Sequence, residues 1–154
     1  PHELTEGHLR DVTDWARAND LALSRVSSAG HAAADVLLVD RYGVLGDLYA
    51  LADVAYVGGG FHAAGLHSVL EPAAFGAPVL FGPTHRKSRE AVALLRCGGA
   101  RVVSGGDDLA RRLIELLSSE ELRGSSGAAA RGMVKSGLGA AERSYQLVTE
   151  LLGR

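Results

Sequence analysis

Apolar positions along the chain switch between a helical and a strand-like period. In residues 5–19 (TEGHLRDVTDWARAN), Leu9, Val12, Trp15 and Ala16 fall on one helical face behind a capping Thr5. Residues 21–27 (LALSRVS) alternate as a strand, and 28–34 (SAGHAAA) read as a loop. The short apolar runs 35–39, 53–57, 78–81 and 100–103 read as buried strands. Between and after them, helical patterns cover 47–52, 68–76, 86–97 (Ala91, Leu94 and Leu95 inward) and 107–118 (Leu109, Leu113, Leu116 and Leu117). Two more helical stretches, about 120–135 and 138–152, are separated by no strong signal, and their leucines are expected in the core. The segment 124–130 (GSSGAAA) is the loosest and reads as a turn. Short apolar strands separated by helices predict a parallel sheet covered on both faces. With right-handed crossovers, that is a Rossmann-like doubly wound α/β layer.

Composition narrows the functional classes. A length of 154 residues suits one domain, 1–154, with the helices of 107–152 at its end. The 16 Lys and Arg against 18 Asp and Glu, with 3 Phe, 1 Trp and 4 Tyr, lack the basic, ring-bearing face of a nucleic-acid binder. Cys97 stands alone, so neither a disulfide framework nor a thiolate metal cluster is encoded, and a cytoplasmic setting is expected. The six histidines have no paired metal-ligand spacing, so no metal and no cofactor is expected. No run approaches the ~18 apolar residues of a spanning helix, and no signal peptide is evident. The sequence opens at Pro1 and runs directly into a helix, which raises the expectation of a fragment whose first strand, or a whole domain, lies upstream.

Several of the 20 glycines, Gly58, Gly59, Gly60 and Gly65, concentrate in the segment after the strand at 53–57. In open parallel sheets ligands sit beyond the carboxyl ends of the strands. Three loops fall there. Gly58–Ser68 lets backbone N–H groups approach an anion, and the following helix start favours phosphate. Here Gly59 and Gly60 shape the bend, Ser68 is an N-cap or a ligand donor, and Glu71 suits ribose hydroxyls better than phosphate. The plain alternative is a tight strand–helix turn with Glu71 as a dipole partner. The loop Gly43–Leu48 places Asp47 at a helix start, where simple capping is the preferred explanation. The loop Gly82–Glu90 carries Arg86, Lys87 and Arg89 near a helix start, an arrangement suggestive of an anionic ligand or of a solvated basic loop. Cys97, at a helix end, reads as an inert thiol.

The order of these motifs resembles one family. Gly65-Leu66-His67-Ser68-Val69-Leu70-Glu71-Pro72 is similar to the Gly-Gly-His-Asn-Pro-Leu-Glu-Pro stretch of the 3-deoxy-D-manno-octulosonic acid (Kdo) transferases. Upstream, Leu45-Gly46-Asp47-Leu48 matches that family's Met-Gly-Glu-Leu, and downstream Phe81-Gly82-Pro83 matches its Phe-Gly-Pro. The resemblance covers residues 35–103 and is to the family's C-terminal domain.

The resemblance implies the donor-binding half of a two-Rossmann-domain glycosyltransferase. The donor would be CMP-Kdo and the acceptor a lipid A precursor in lipopolysaccharide synthesis, at the cytoplasmic face of the inner membrane. It implies that Leu45, Gly46 and Asp47 line the cytidine, and that His67, Ser68, Val69, Leu70 and Glu71 hold ribose and phosphate. Pro1 and His2 fall where the family has a Pro-Arg pair. The family's catalytic base is a Glu of an N-terminal domain, so no catalytic residue is expected here and the isolated chain is expected to be inactive. The sequence departs from the family at Ser68 (for Asn), Val69 (for Pro), Asp47 (for Glu) and His2 (for Arg). A UDP-sugar transferase or epimerase, or a binding domain without enzymatic activity, are the alternatives.

Overall fold

The computed structural model describes residues 4–28 and 33–153. The chain divides into two compact units, Pro1–Leu48 and Tyr49–Arg154.

In the first unit, helix α1 (Glu6–Ala18) opens on Thr5, whose hydroxyl accepts from the His8 N–H. Leu9 and Ala16 face inward as the periodicity predicts, but Trp15 is exposed. Strands β1 (Leu23–Arg25) and β2 (Val36–Leu38) pair in parallel, Leu23 opposite Val36. Two carboxylates tie this pair at its ends. Asp35 accepts from the Ala22 N–H at 2.9 Å, and Asp40 from the Ser27 N–H and hydroxyl at 3.0 and 2.5 Å. The Ser27 hydroxyl thereby holds the Asp40 carboxyl below its usual range. Helix α2 (Leu45–Tyr49) starts two residues earlier than the pattern suggests. Asp47 consequently lies inside its first turn and not at its edge.

The second unit is a three-stranded parallel sheet, ordered β3 (Ala55–Val57), β4 (Val79–Phe81), β5 (Ala100–Val102). The central β4 is buried on both faces, which explains its unbroken apolar run. Val79 and Phe81 join a core with Val57, Val69, Ala73, Ala91, Leu94 and Ala130. Leu80 points into a second cluster with Val103 and Leu116. Helices α3 (Leu70–Phe75), α4 (Arg89–Cys97) and α6 (Glu120–Gly137) supply the first cluster, and α5 (Gly106–Ser118) covers the other face. The doubly wound α/β layer is therefore present as expected.

Two expectations fail. Residues 124–130 form no turn but the interior of α6. Their small size is what packing requires: a Cβ on Gly127 would run into the Gly76 carbonyl oxygen, and one on Gly99 would meet Ala130 at 2.7 Å. The leucines of the last helix, α7 (Ala140–Leu151), are not core residues. Leu147, Leu151 and the following Leu152 are all exposed, with Tyr145 and Val148 beside them.

Candidate functional site at the carboxyl ends of the central strands

The loops after β3 and β4 meet in the second unit. Gly59 has a left-handed φ of 85°, and a side chain there would collide with the Gly65 carbonyl. Gly60 and Gly82 approach so closely that a Cβ on either would lie 2.5 Å from the other's backbone. The Thr84 N–H donates to the Gly60 carbonyl at 2.8 Å, and the His67 N–H to that of Gly58 at 3.1 Å. Much of the glycine requirement at 58–60 thus comes from the chain's own close approaches. Of the two readings the sequence left open, an anion cradle or a tight strand–helix turn, the turn accounts for Gly59 and Gly60 directly.

Downstream, α3 begins one residue later than Ser68 would allow as a cap. Val69 holds the cap position, without a side-chain hydrogen bond. Its side chain is buried in the core, so only its backbone faces outward chemistry. A β-branched apolar residue outcompetes Ser68 there because the core beneath the loop must be filled. Ser68 and His67 remain exposed, with Leu70 and Glu71. Pro72 sits in the first helical turn, where a missing N–H costs no intrahelical bond. The N–H groups of Leu70 and Glu71 have no intrahelical partner at that position. Tyr49, half-buried, has its hydroxyl pushed above the usual phenol range by burial and then by the negative charge of Glu71.

Beside this loop lies a cavity of about 400 Å³ between Ala63–Leu66 and Pro83–Ser88. Its polar wall is Thr84, His85, Arg86, Lys87 and Ser88. Helix α4 starts at Arg89 behind Ser88, whose hydroxyl accepts from the Ala91 N–H at 3.1 Å. Arg86 and Lys87 accordingly stand in the turn before the helix. The His85 ring packs against Phe81 with centroids 5.4 Å apart, and its Nδ1 is shielded from water without a hydrogen-bond partner among the described residues. The sequence reading noted the cations but missed the cavity, because nothing in the sequence reveals that loops 63–66 and 83–88 face each other.

Of the other expected site residues, Leu45, Gly46 and Asp47 are exposed on α2 in the first unit. Pro1 and His2 lie outside the described residues. No group of three or more His, Cys, Asp or Glu among the described residues is arranged to hold a metal ion.

A parallel layer with its loops and helix starts gathered beyond the strand ends defines a Rossmann-like α/β domain. The fold is that of the C-terminal CMP-Kdo binding domain of WaaA from Acinetobacter baumannii. That match has a TM-score of 0.76 and 23% identity, covering 87% of this chain and 70% of that one. In sequence the chain is similar to 3-deoxy-D-manno-octulosonic acid transferases. It is 42% identical to that of Aquifex aeolicus over 85 residues, 54% of this chain and 24% of the relative. It is 41% identical to that of Chlamydia muridarum over 91 residues, 58% of this chain and 21% of the relative. The Haemophilus influenzae enzyme matches at 35% over 121 residues, 77% of this chain and 28% of the relative. The chain thus spans about a fifth to a quarter of the length of the curated relatives it matches. No family model matches the sequence. No described helix is long and apolar enough to cross a membrane.

Proposed function

We propose that the chain is the donor-binding domain of a glycosyltransferase that transfers Kdo from CMP-Kdo to a lipid A precursor. The observation that carries this reading is the pairing of two independent likenesses. The sequence relatives are Kdo transferases, and the fold matches a CMP-Kdo binding domain. In this reading Leu45, Gly46 and Asp47 line the cytidine, as the resemblance implies. The ribose hydroxyls donate to the Glu71 carboxylate, and the N–H groups at the start of α3, with the Ser68 hydroxyl, receive the phosphate. Gly59, Gly60 and His67 shape the loop that delivers them, and Val69 contributes its backbone alone. Pro1 and His2 belong to the same binding set.

Transfer from a sugar nucleotide builds negative charge on the departing phosphate as the anomeric bond breaks. Donors fixed before the reaction stabilise that charge without reorganising. The acceptor hydroxyl attacks from the opposite face and inverts the anomeric centre. Its proton goes to a base that we assign to an N-terminal, acceptor-binding domain, in keeping with the greater length of the relatives. The isolated chain then binds donor and transfers nothing. We place the reaction at the cytoplasmic face of the inner membrane.

Calorimetric or NMR titration of the chain with CMP and UDP tests this. CMP is expected to bind and to shift the amides of Gly58–Glu71, with UDP weaker. A clear preference for UDP moves the domain to the UDP-sugar enzymes. The absence of any shift at millimolar CMP overturns the reading.

A further inference from the structure

We propose that the cavity between Ala63–Leu66 and Pro83–Ser88 receives the carboxylate of the sugar acid carried by the donor, through Arg86 and Lys87. The inference rests on the donor-binding reading above and adds a second anion site to it. Four observations converge. The cavity lies wholly within the second unit, beyond the ends of two adjacent parallel strands, and is about 400 Å³, enough for a sugar. Its polar wall carries Arg86 and Lys87, and neither has an ion pair among the described residues, whereas Arg101, Arg111, Arg112 and Arg123 of the same unit do. No acidic side chain lines its wall, and the nearby Glu90 carboxylate accepts from the Ser88 hydroxyl at 3.1 Å and is in no ion pair with either cation. Finally, Gly65 and Leu66 of the wall are followed directly in the chain by His67–Glu71, the segment proposed to hold ribose and phosphate.

The chemistry of the donor calls for such a division. In an activated ulosonic acid the carboxyl group sits on the same carbon that bears the phosphate. Two negative groups are then held close together in a cleft, where repulsion rises as water is excluded. One anion site cannot serve both. The backbone N–H groups at α3 suit the phosphate, and a planar guanidinium beside a mobile ammonium suits a carboxylate. A neutral hexose would leave the cations merely solvated, so the pocket favours acidic sugars over neutral ones without needing to exclude the latter.

The test compares three probes on the full chain and on the Arg86→Ala/Lys87→Ala variant: CMP, CMP-Kdo and free Kdo. Both side chains are exposed, so the variant is expected to fold, which its thermal midpoint checks. The unaltered chain should bind CMP-Kdo more tightly than CMP. The variant should lose about fivefold or more of that advantage while its CMP affinity stays unchanged. Arg86→Lys with Lys87 intact should retain most of it. Free Kdo at millimolar concentration should shift the amides of Thr84–Ser88 in the unaltered chain and not in the double variant. Equal weakening of CMP and CMP-Kdo would assign the cations to the phosphate and overturn the proposal, as would no change in either. Failure of the unaltered chain to bind CMP overturns the donor-binding reading instead; the free Kdo titration then decides the pocket by itself, and an unmoved 84–88 segment rejects it.

Discussion

At the scale of single residues, glycine has opposite consequences at neighbouring positions of one helix. In α6, Gly124, Gly127 and Gly132 all cost helix propensity relative to alanine, by about 1 kcal/mol each. A Cβ at Gly124 or Gly132 meets nothing within 4 Å, so Gly132→Ala is expected to raise stability by about 0.5–1 kcal/mol. At Gly127 the same methyl would collide with the Gly76 carbonyl, a backbone atom that cannot swing aside. Overpacking of that kind costs about 1–3 kcal/mol and outweighs the propensity gain, so Gly127→Ala is expected to lower stability. Urea melts of the two variants check the pair of signs. Gly59→Ala adds a left-handed backbone to a collision and should also destabilise, by about 2 kcal/mol or more. That loss would occur whether or not a ligand binds, so a weakened ligand titration of this variant says nothing about the site unless its folding is intact.

At the scale of elements, the strands were legible in the sequence, β1 by its alternation and the others as short apolar runs bounded by turn residues, and β4 stands out for the absence of alternation. Helix caps were legible where a hydroxyl precedes the apolar period, as at Thr5. Three things were not. Ser68 looked like a cap, yet Val69 takes that position because its side chain completes the core, which a local pattern cannot reveal. GSSGAAA looked like a turn, yet small residues are what let α6 lie against the ends of α3 and α4. The cavity beside the glycine loop needs two segments some twenty residues apart to face each other, and only the parallel pairing of β3 with β4 does that. Of the candidate site, the glycine loop, Glu71 and the cations Arg86 and Lys87 were visible, and the cavity that the cations line was not. Ser88 offers a direct check at this scale. It caps α4 through the Ala91 N–H, so Ser88→Ala should cost about 1 kcal/mol, and Ser88→Asp should restore most of it. Thermal unfolding of both variants measures this.

At the scale of the whole molecule, two features set how the chain responds to conditions. The second unit carries a surface network in which Arg101 and Arg112 both reach Glu115, at 2.9 and 3.0 Å. Asp108 accepts from the Ser104 N–H at 2.9 Å and pairs with Arg111. The Ser104 N–H, aided by Arg111, holds the Asp108 carboxyl below its ordinary 3.8, and the two arginine hydrogen bonds hold Glu115 below its ordinary 4.5. A carboxylate whose folded pKa is depressed binds fewer protons than in the unfolded chain. Its stabilisation is present above the ordinary value and is lost as pH falls through the depressed one. The urea midpoint is therefore expected to fall on acidification from about pH 6 to about pH 3. Asp108→Asn combined with Glu115→Gln should flatten that fall, and high salt should shrink the difference between variant and parent because the groups are exposed.

The second feature is the unequal cores of the two units. Among the described residues, the buried apolar side chains of the first unit are Leu9, Ala16 and Leu38, whereas the second unit buries both faces of β4 beneath four helices. Full burial of one leucine stabilises by about 1.5–3 kcal/mol, and ordering each residue costs about 1–2 kcal/mol. A unit of under fifty residues with two leucines and an alanine inside has little margin, and local opening there should cost less than opening of the sheet. Native-state hydrogen exchange in low denaturant should show this directly. The amides of β1 and β2 are expected to exchange through a lower-energy opening than those of Val79–Phe81, whose exchange should approach the global unfolding free energy. The proposed cytidine contacts Leu45, Gly46 and Asp47 belong to the first unit. Nucleotide held by those residues should slow exchange of the amides in the first unit. A ligand that protected only the β3–β5 loops would confine the binding site to the second unit and remove Leu45, Gly46 and Asp47 from it.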